Sequence, residues 1–161
     1  MLIDRVWYHF TPGEHIFCAS VAAQRAASKQ FRRGFRQVSD RSSYALHLEG
    51  VLGELAVGMI HRGRVNQAIL PDGDGHLPDM VLTDGRSIEI KTSLWAGDDV
   101  ELKFFEDEIA HAKHVCLVQL YHPDKARVYP VWEMSELLPL MRDKDYGHGV
   151  RKVFCPLWLK A

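Results

Sequence analysis

Two short stretches bring together the residue types that hydrolysis of a phosphodiester needs: Pro78-Asp79 and Glu89-Ile90-Lys91. Carboxylates are the hard oxygen ligands that hold a divalent cation. A lysine beside them can place the attacking water and offset the negative charge that develops. Glu89 and Lys91 are two positions apart, so in a strand both project from the same face.

Whether Asp79 joins them depends on how the chain turns between the two stretches. A two-residue loop, Asp84-Gly85, would set Asp79 opposite Ile90 and aim it away. A three-residue loop, Thr83-Asp84-Gly85, sets Leu82 against Arg86 and Asp79 directly against Glu89. Three-residue loops typically carry glycine last, in the left-handed position. The longer loop also gathers Met80, Leu82, Ile88 and Ile90 on one side. Burial of that apolar face therefore selects the register that brings the acids together.

A third carboxylate is expected from the helix that precedes the hairpin. Glu49 and Glu54 border its apolar stripe on opposite edges. Glu54 is favoured, because Gly50 and Gly58 leave bare surface on its face for a strand or a metal to approach. A glutamate at a helix edge is ordinarily just solvated, and the acids of a hairpin ordinarily pair with a cross-strand lysine. The chemical reading rests on the ensemble.

The elements that must position these residues follow from pattern. Residues 3–10 read as a short strand that Pro12-Gly13 ends. An Ala-rich helix runs from Glu14 to about Gly34. A second helix covers about Ser43 to Ile60, with Leu48, Val51, Leu52, Leu55 and Met59 as its stripe, Ser42 or Ser43 as N-cap and Gly63 as stop. Val65 to Leu70 reads as the first strand of a three-strand meander, completed by Pro78 to Leu82 and Arg86 to Thr92. Phe104 to about His114 is a short acidic helix or loop. Val115 to Tyr121 is a buried strand and Ala126 to Val131 another. Ser135 opens a further helix, and residues 153–158 add an edge strand. This order predicts a single α/β domain, a mixed sheet with helices on its faces.

The set Gly50-Val51-Leu52-Gly53-Glu54, Pro78-Asp79 and Glu89-Ile90-Lys91, in that order, resembles the PD-(D/E)XK nuclease superfamily of restriction endonucleases and junction resolvases. The wider pattern looks like small proteins of phages and mobile elements. The resemblance covers roughly Leu48 to Val131 and implies a restriction-endonuclease-like αβββαβ core over about residues 43–131, with a basic helical extension at about 14–42. It implies a Mg²⁺- or Mn²⁺-dependent nuclease that leaves 5′-phosphate ends. Glu54, Asp79 and Glu89 would ligate the metal with the Ile90 carbonyl, and Lys91 would position or activate water. DNA is the implied partner, and a homodimer is an arrangement the superfamily uses because two cuts need two sites.

Outside the motif, Arg25, Lys29, Arg32, Arg33, Arg36 and Arg41 form a basic stretch with Phe31 and Phe35 interleaved. It reads equally as a grip on phosphates and bases or as the solvated face of a helix. Asp98, Asp99, Glu101, Glu106, Asp107 and Glu108 form an acidic run, read either as an exposed face or as a phosphate mimic. Trp95 reads as a core residue, with base stacking as the alternative. His111 and His114 lack companions for a tetrahedral zinc site, and His61 and His76 read as solvated.

The 161 residues are 47% hydrophobic and 25% charged, which is ordinary for a globular domain and excludes disorder as the whole answer. A net charge of -1 counts mildly against a nucleic-acid partner. No signal-peptide or bilayer-spanning run is present, so a cytoplasmic location is expected. Cys18, Cys116 and Cys155 fit neither a disulfide framework nor a CxxC site and read as small buried hydrophobes. Two rival readings stay open: a nucleic-acid-binding module without chemistry, and an interaction protein that acts through the acidic run.

Overall fold

The computed structural model describes residues 4–30, 42–65, 77–147 and 149–160. In chain order these form β1 (Val6–His9), α1 (Pro12–Gln30), α2 (Ser43–His61), β2 (Met80–Val81), β3 (Ser87–Ser93), β4 (Leu102–Phe104), α3 (Glu106–His111), β5 (His114–Tyr121), β6 (Lys125–Glu133), α4 (Met134–Leu137), β7 (Arg142–Asp145) and β8 (Val150–Phe154). The class is mixed α/β. Among the described residues, no helix is long and apolar enough to cross a membrane.

β1, β6, β5, β3 and β2 make a five-stranded sheet in that order. β3 and β5 run parallel, and the other pairs are antiparallel. A parallel pair needs a crossover, and here the chain between β3 and β5 carries β4 and α3. β5 lies at the centre, buried on both faces, which is why its sequence is an almost unbroken apolar run. Cys116, Val118 and Leu120 enter one core with Val51, Leu52, Ala56 and Val57 of α2. Val115 and Leu117 enter a second core with Leu102, Phe104 and Phe154.

That second core departs from the sequence expectation. The two long helices cover one face only. The opposite face is covered by a separate three-stranded sheet, β4-β8-β7, together with α4. The helix expected from Ser135 is a single turn, Met134–Leu137, followed by a 3-10 turn at Leu138–Leu140. Pro12 does not break structure but opens α1, where its missing N–H costs nothing. Val65 is described but lies in no strand, and the rest of the expected first meander strand falls outside the described residues. All three cysteines are free and buried, as expected.

α2 begins where the sequence reading put it. Ser42 is the N-cap, and its side chain accepts from the Ala45 amide at 3.1 Å. It ends one residue earlier than Gly63 would allow, because Arg62 itself takes the left-handed conformation. Met59 is exposed, and the buried face turns instead through Ala56 and Val57. The close approach that glycine permits is at Gly53. A Cβ there would lie 2.0 Å from Thr92 Oγ1, so only glycine lets α2 settle onto β3. Gly50, by contrast, faces open space, and Gly58 abuts the Gly63 carbonyl.

Candidate active site

The hairpin takes the register that burial selects. Met80 pairs with Ile88 and Val81 with Ser87. The Leu82 amide donates to the Arg86 carbonyl at 2.8 Å, and the Gly85 amide closes the turn onto Leu82 at 2.9 Å. Gly85 has φ +89°, the conformation that the last position of this loop demands. Met80, Leu82, Ile88 and Ile90 are buried in the core beneath α2. Glu89 and Lys91 project from the opposite face of β3, half-buried.

Continuing this register sets Asp79 across from Glu89. One oxygen of the Asp79 carboxyl accepts from the Ile90 amide at 2.7 Å. The Asp79 carboxyl is pushed up to about 7, first by burial and then by the charge of Glu89. The Ile90 amide pulls it back, Glu54 pushes it up again and Lys91 lowers it. The charges of Glu54, Glu89 and Lys91 thus all reach Asp79.

Glu54 is also held by another partner. Its carboxylate is 8% exposed and meets the Arg25 guanidinium in a two-pronged pair, Nη1 to Oε1 at 2.8 Å and Nη2 to Oε2 at 3.0 Å. Arg25, read from sequence as a contact to nucleic acid, is turned inward between α1 and α2. Arg32, Arg33 and Arg36 lie outside the described residues, as does the Lys29 side chain.

Glu108 of α3, counted from sequence only in the acidic run, lies beside the site. One of its oxygens contacts the Lys91 ammonium, and the other accepts from the Phe105 amide at 2.7 Å. Lys91 also lies 3.8 Å from Glu89 Oε1, with its ammonium 5.5 Å from the centre of the Phe104 ring. The available signal was a glutamate at the third position of a short helix, where the side chain folds back on its own N-terminus. Nothing local indicated that its second oxygen would face Lys91. Asp79, Glu89, Asp107, Glu108 and His111 line a cavity of about 210 Å³ between the hairpin and α3.

No family model, characterised protein or solved structure matches the chain.

The rest of the acidic run disperses into separate contacts. Asp98 pairs with Arg5 at 2.7 Å and Arg127 at 3.5 Å. Asp99 accepts from the Trp95 indole at 2.7 Å, and Glu101 meets Lys144 at 2.7 Å. The run is thus neither a continuous exposed face nor a continuous mimic of phosphate. His61 is not simply solvated, since its ring contacts the Tyr129 carbonyl at 2.8 Å. His114 lies in β5 and His111 in α3, so they do not share a helical face. His76 lies outside the described residues.

Among the described residues, no three His, Cys, Asp or Glu side chains form a finished metal cage. Asp79 and Glu89 nevertheless fit a divalent cation in one respect. Burial and the neighbouring Glu89 charge disfavour ionisation of Asp79, and a bound cation would offset that cost.

Proposed function

We propose that the chain is a Mg²⁺- or Mn²⁺-dependent nuclease of the restriction-endonuclease-like kind, cutting phosphodiester bonds of DNA. One observation carries the reading: the hairpin register sets Asp79 opposite Glu89, with Lys91 two residues further along the same face. Asp79, Glu89 and the Ile90 carbonyl would hold the cation. Bound there, it would polarise the scissile phosphate and lower the pKa of water. Lys91 holds a positive charge beside that position and would orient the attacking water. Glu108 fixes the Lys91 ammonium, and Arg25 fixes Glu54 at the rim of the same charge cluster.

The test is cleavage of plasmid and branched DNA with Mg²⁺ or Mn²⁺. Wild type should cut, and Lys91→Ala and Asp79→Ala should not. Equal residual cleavage by all three overturns the reading.

A second reading, a binding module without turnover, draws on the Arg25–Glu54 pair, which occupies the carboxylate otherwise assigned to the metal. Tight, salt-sensitive DNA binding with no turnover under either metal would favour it. The interaction-protein reading keeps the near-neutral net charge and the exposed Glu106 and Asp107 as its support, while Asp98, Asp99, Glu101 and Glu108 are engaged within the chain.

A further inference from the structure

A second and larger cleft, with a volume of about 520 Å³, includes Lys91 in its wall. Lys91, Ser93, Trp95, Asp99, Lys103 and Lys144 are among its lining residues. Trp95 is 59% exposed, so the core role expected from sequence does not hold. Leu94 beside it is also exposed and lines the same cleft, so the two form an adjoining apolar pair at its wall.

The loop that carries Trp95 is tied down at every step. The Trp95 amide donates to Ser93 Oγ at 3.1 Å, and the indole N–H donates to Asp99 at 2.7 Å. Gln119 is fully buried within the sheet, and its amide nitrogen donates to the carbonyls of Trp95 and Gly97 at 3.0 and 2.8 Å. The Tyr121 hydroxyl donates to the Ala96 carbonyl at 2.9 Å. Burying a glutamine is costly unless all its polar atoms are satisfied. Here that cost fixes the position of the exposed tryptophan. A Cβ at Gly97 would lie 2.3 Å from Asp99 Oδ1 and 2.7 Å from Trp95 Nε1, so the indole–Asp99 bond requires glycine there.

A rigid, exposed aromatic plane loses little freedom when it binds. It stands four residues beyond Lys91, on a cleft whose lining balances Lys91, Lys103 and Lys144 against Glu49, Asp99 and Glu101, with Lys91 and Lys144 held by Glu108 and Glu101; stacking on the indole, more than charge, would supply the affinity. We propose that this cleft is a nucleobase subsite, where the Trp95 indole stacks on an unpaired base of the strand being cut. The proposal rests on the nuclease reading and names the substrate class: single-stranded, flapped or branched nucleic acid. In an intact duplex the base faces are already covered, so Trp95 has nothing to stack on.

The test is fluorescence anisotropy with a labelled oligothymidylate of about ten nucleotides, and with a blunt duplex of similar length, in the presence of a chelator. Trp95→Ala should weaken single-strand binding roughly 5- to 100-fold, as loss of one stacking platform does. Trp95→Phe should restore most of it, and duplex binding should not change. Single-strand binding by Trp95→Ala within about twofold of wild type overturns the subsite, as does a failure of phenylalanine to rescue. Cleavage by the same preparations separates the two claims. An active enzyme indifferent to Trp95 refutes the subsite alone. An inactive protein whose single-strand affinity depends on Trp95 refutes the nuclease reading alone.

Discussion

The Asp79 carboxyl caps the backbone amide of Ile90 at 2.7 Å, on the strand that carries Glu89 and Lys91. This side chain, just before the short strand β2, thus brings a carboxylate to the next strand. The same bond holds Asp79 where burial and Glu89 disfavour its charge.

The first prediction follows from that conflict. The folded-state affinity of Asp79 for a proton is raised, from an ordinary 3.8 to about 7. Its contribution to stability is therefore fully present below pH about 4 and is lost as pH rises through about 7. Asp79→Asn keeps an oxygen for the Ile90 amide and removes the charge. With a chelator present, the variant should be more stable than wild type at pH 8 by roughly 2 kcal/mol, with little gain at pH 4. Urea unfolding at the two pH values checks this. A variant less stable than wild type at pH 8 would show that the carboxylate is not under strain.

Arg25 and Glu54 join the consecutive helices α1 and α2, and both side chains are largely withdrawn from solvent. Arg25→Ala should destabilise the fold by roughly 2 kcal/mol, because the Glu54 carboxylate loses its fork-shaped partner. Arg25→Met combined with Glu54→Gln should recover most of that loss. Unfolding midpoints of the single and double variants decide it.

Gly53→Ala tests how α2 is seated. The added methyl would meet Thr92 Oγ1 at 2.0 Å. The overpacking should outweigh alanine's better helix propensity, for a net loss of roughly 1–2 kcal/mol. Thr92→Ala in the same chain should return part of it, which thermal unfolding would show.

Glu108 touches Lys91 rather than the reacting atoms, so it acts as a positioning residue. Glu108→Ala should lower kcat roughly tenfold while leaving KM for DNA near wild type. Its loss should cost the fold only about 1 kcal/mol, since what goes is the helix cap at Phe105. A change in KM alone would reassign it to substrate binding.

The sequence was most informative where local pattern and burial agree. The β2–β3 hairpin is the clearest case, because one apolar face and one turn glycine leave a single register. β5 was legible from its apolar run and α2 from its cap. The small second sheet was not legible as such. β7 is Arg-Asp-Lys-Asp, exposed throughout, with no alternation to reveal it; it is held by pairing with β8 and by Lys152 to Asp143 at 2.6 Å. The partners of the site residues were equally hidden. Arg25 with Glu54, and Lys91 with Glu108, are long-range contacts that no periodicity encodes. Trp95 was misjudged because its surroundings are set by Gln119, a polar residue within an apolar strand, whose bonds reach back to a distant loop.

The central claim is that Asp79 and Glu89 share one divalent cation. Titration of Mn²⁺ into the protein, followed by electron paramagnetic resonance of the free ion, tests it without reference to any substrate. Wild type should bind one ion at a site that either Asp79→Asn or Glu89→Gln weakens by roughly tenfold or more. Equal Mn²⁺ binding by wild type and both variants, or none by any of them, would contradict it.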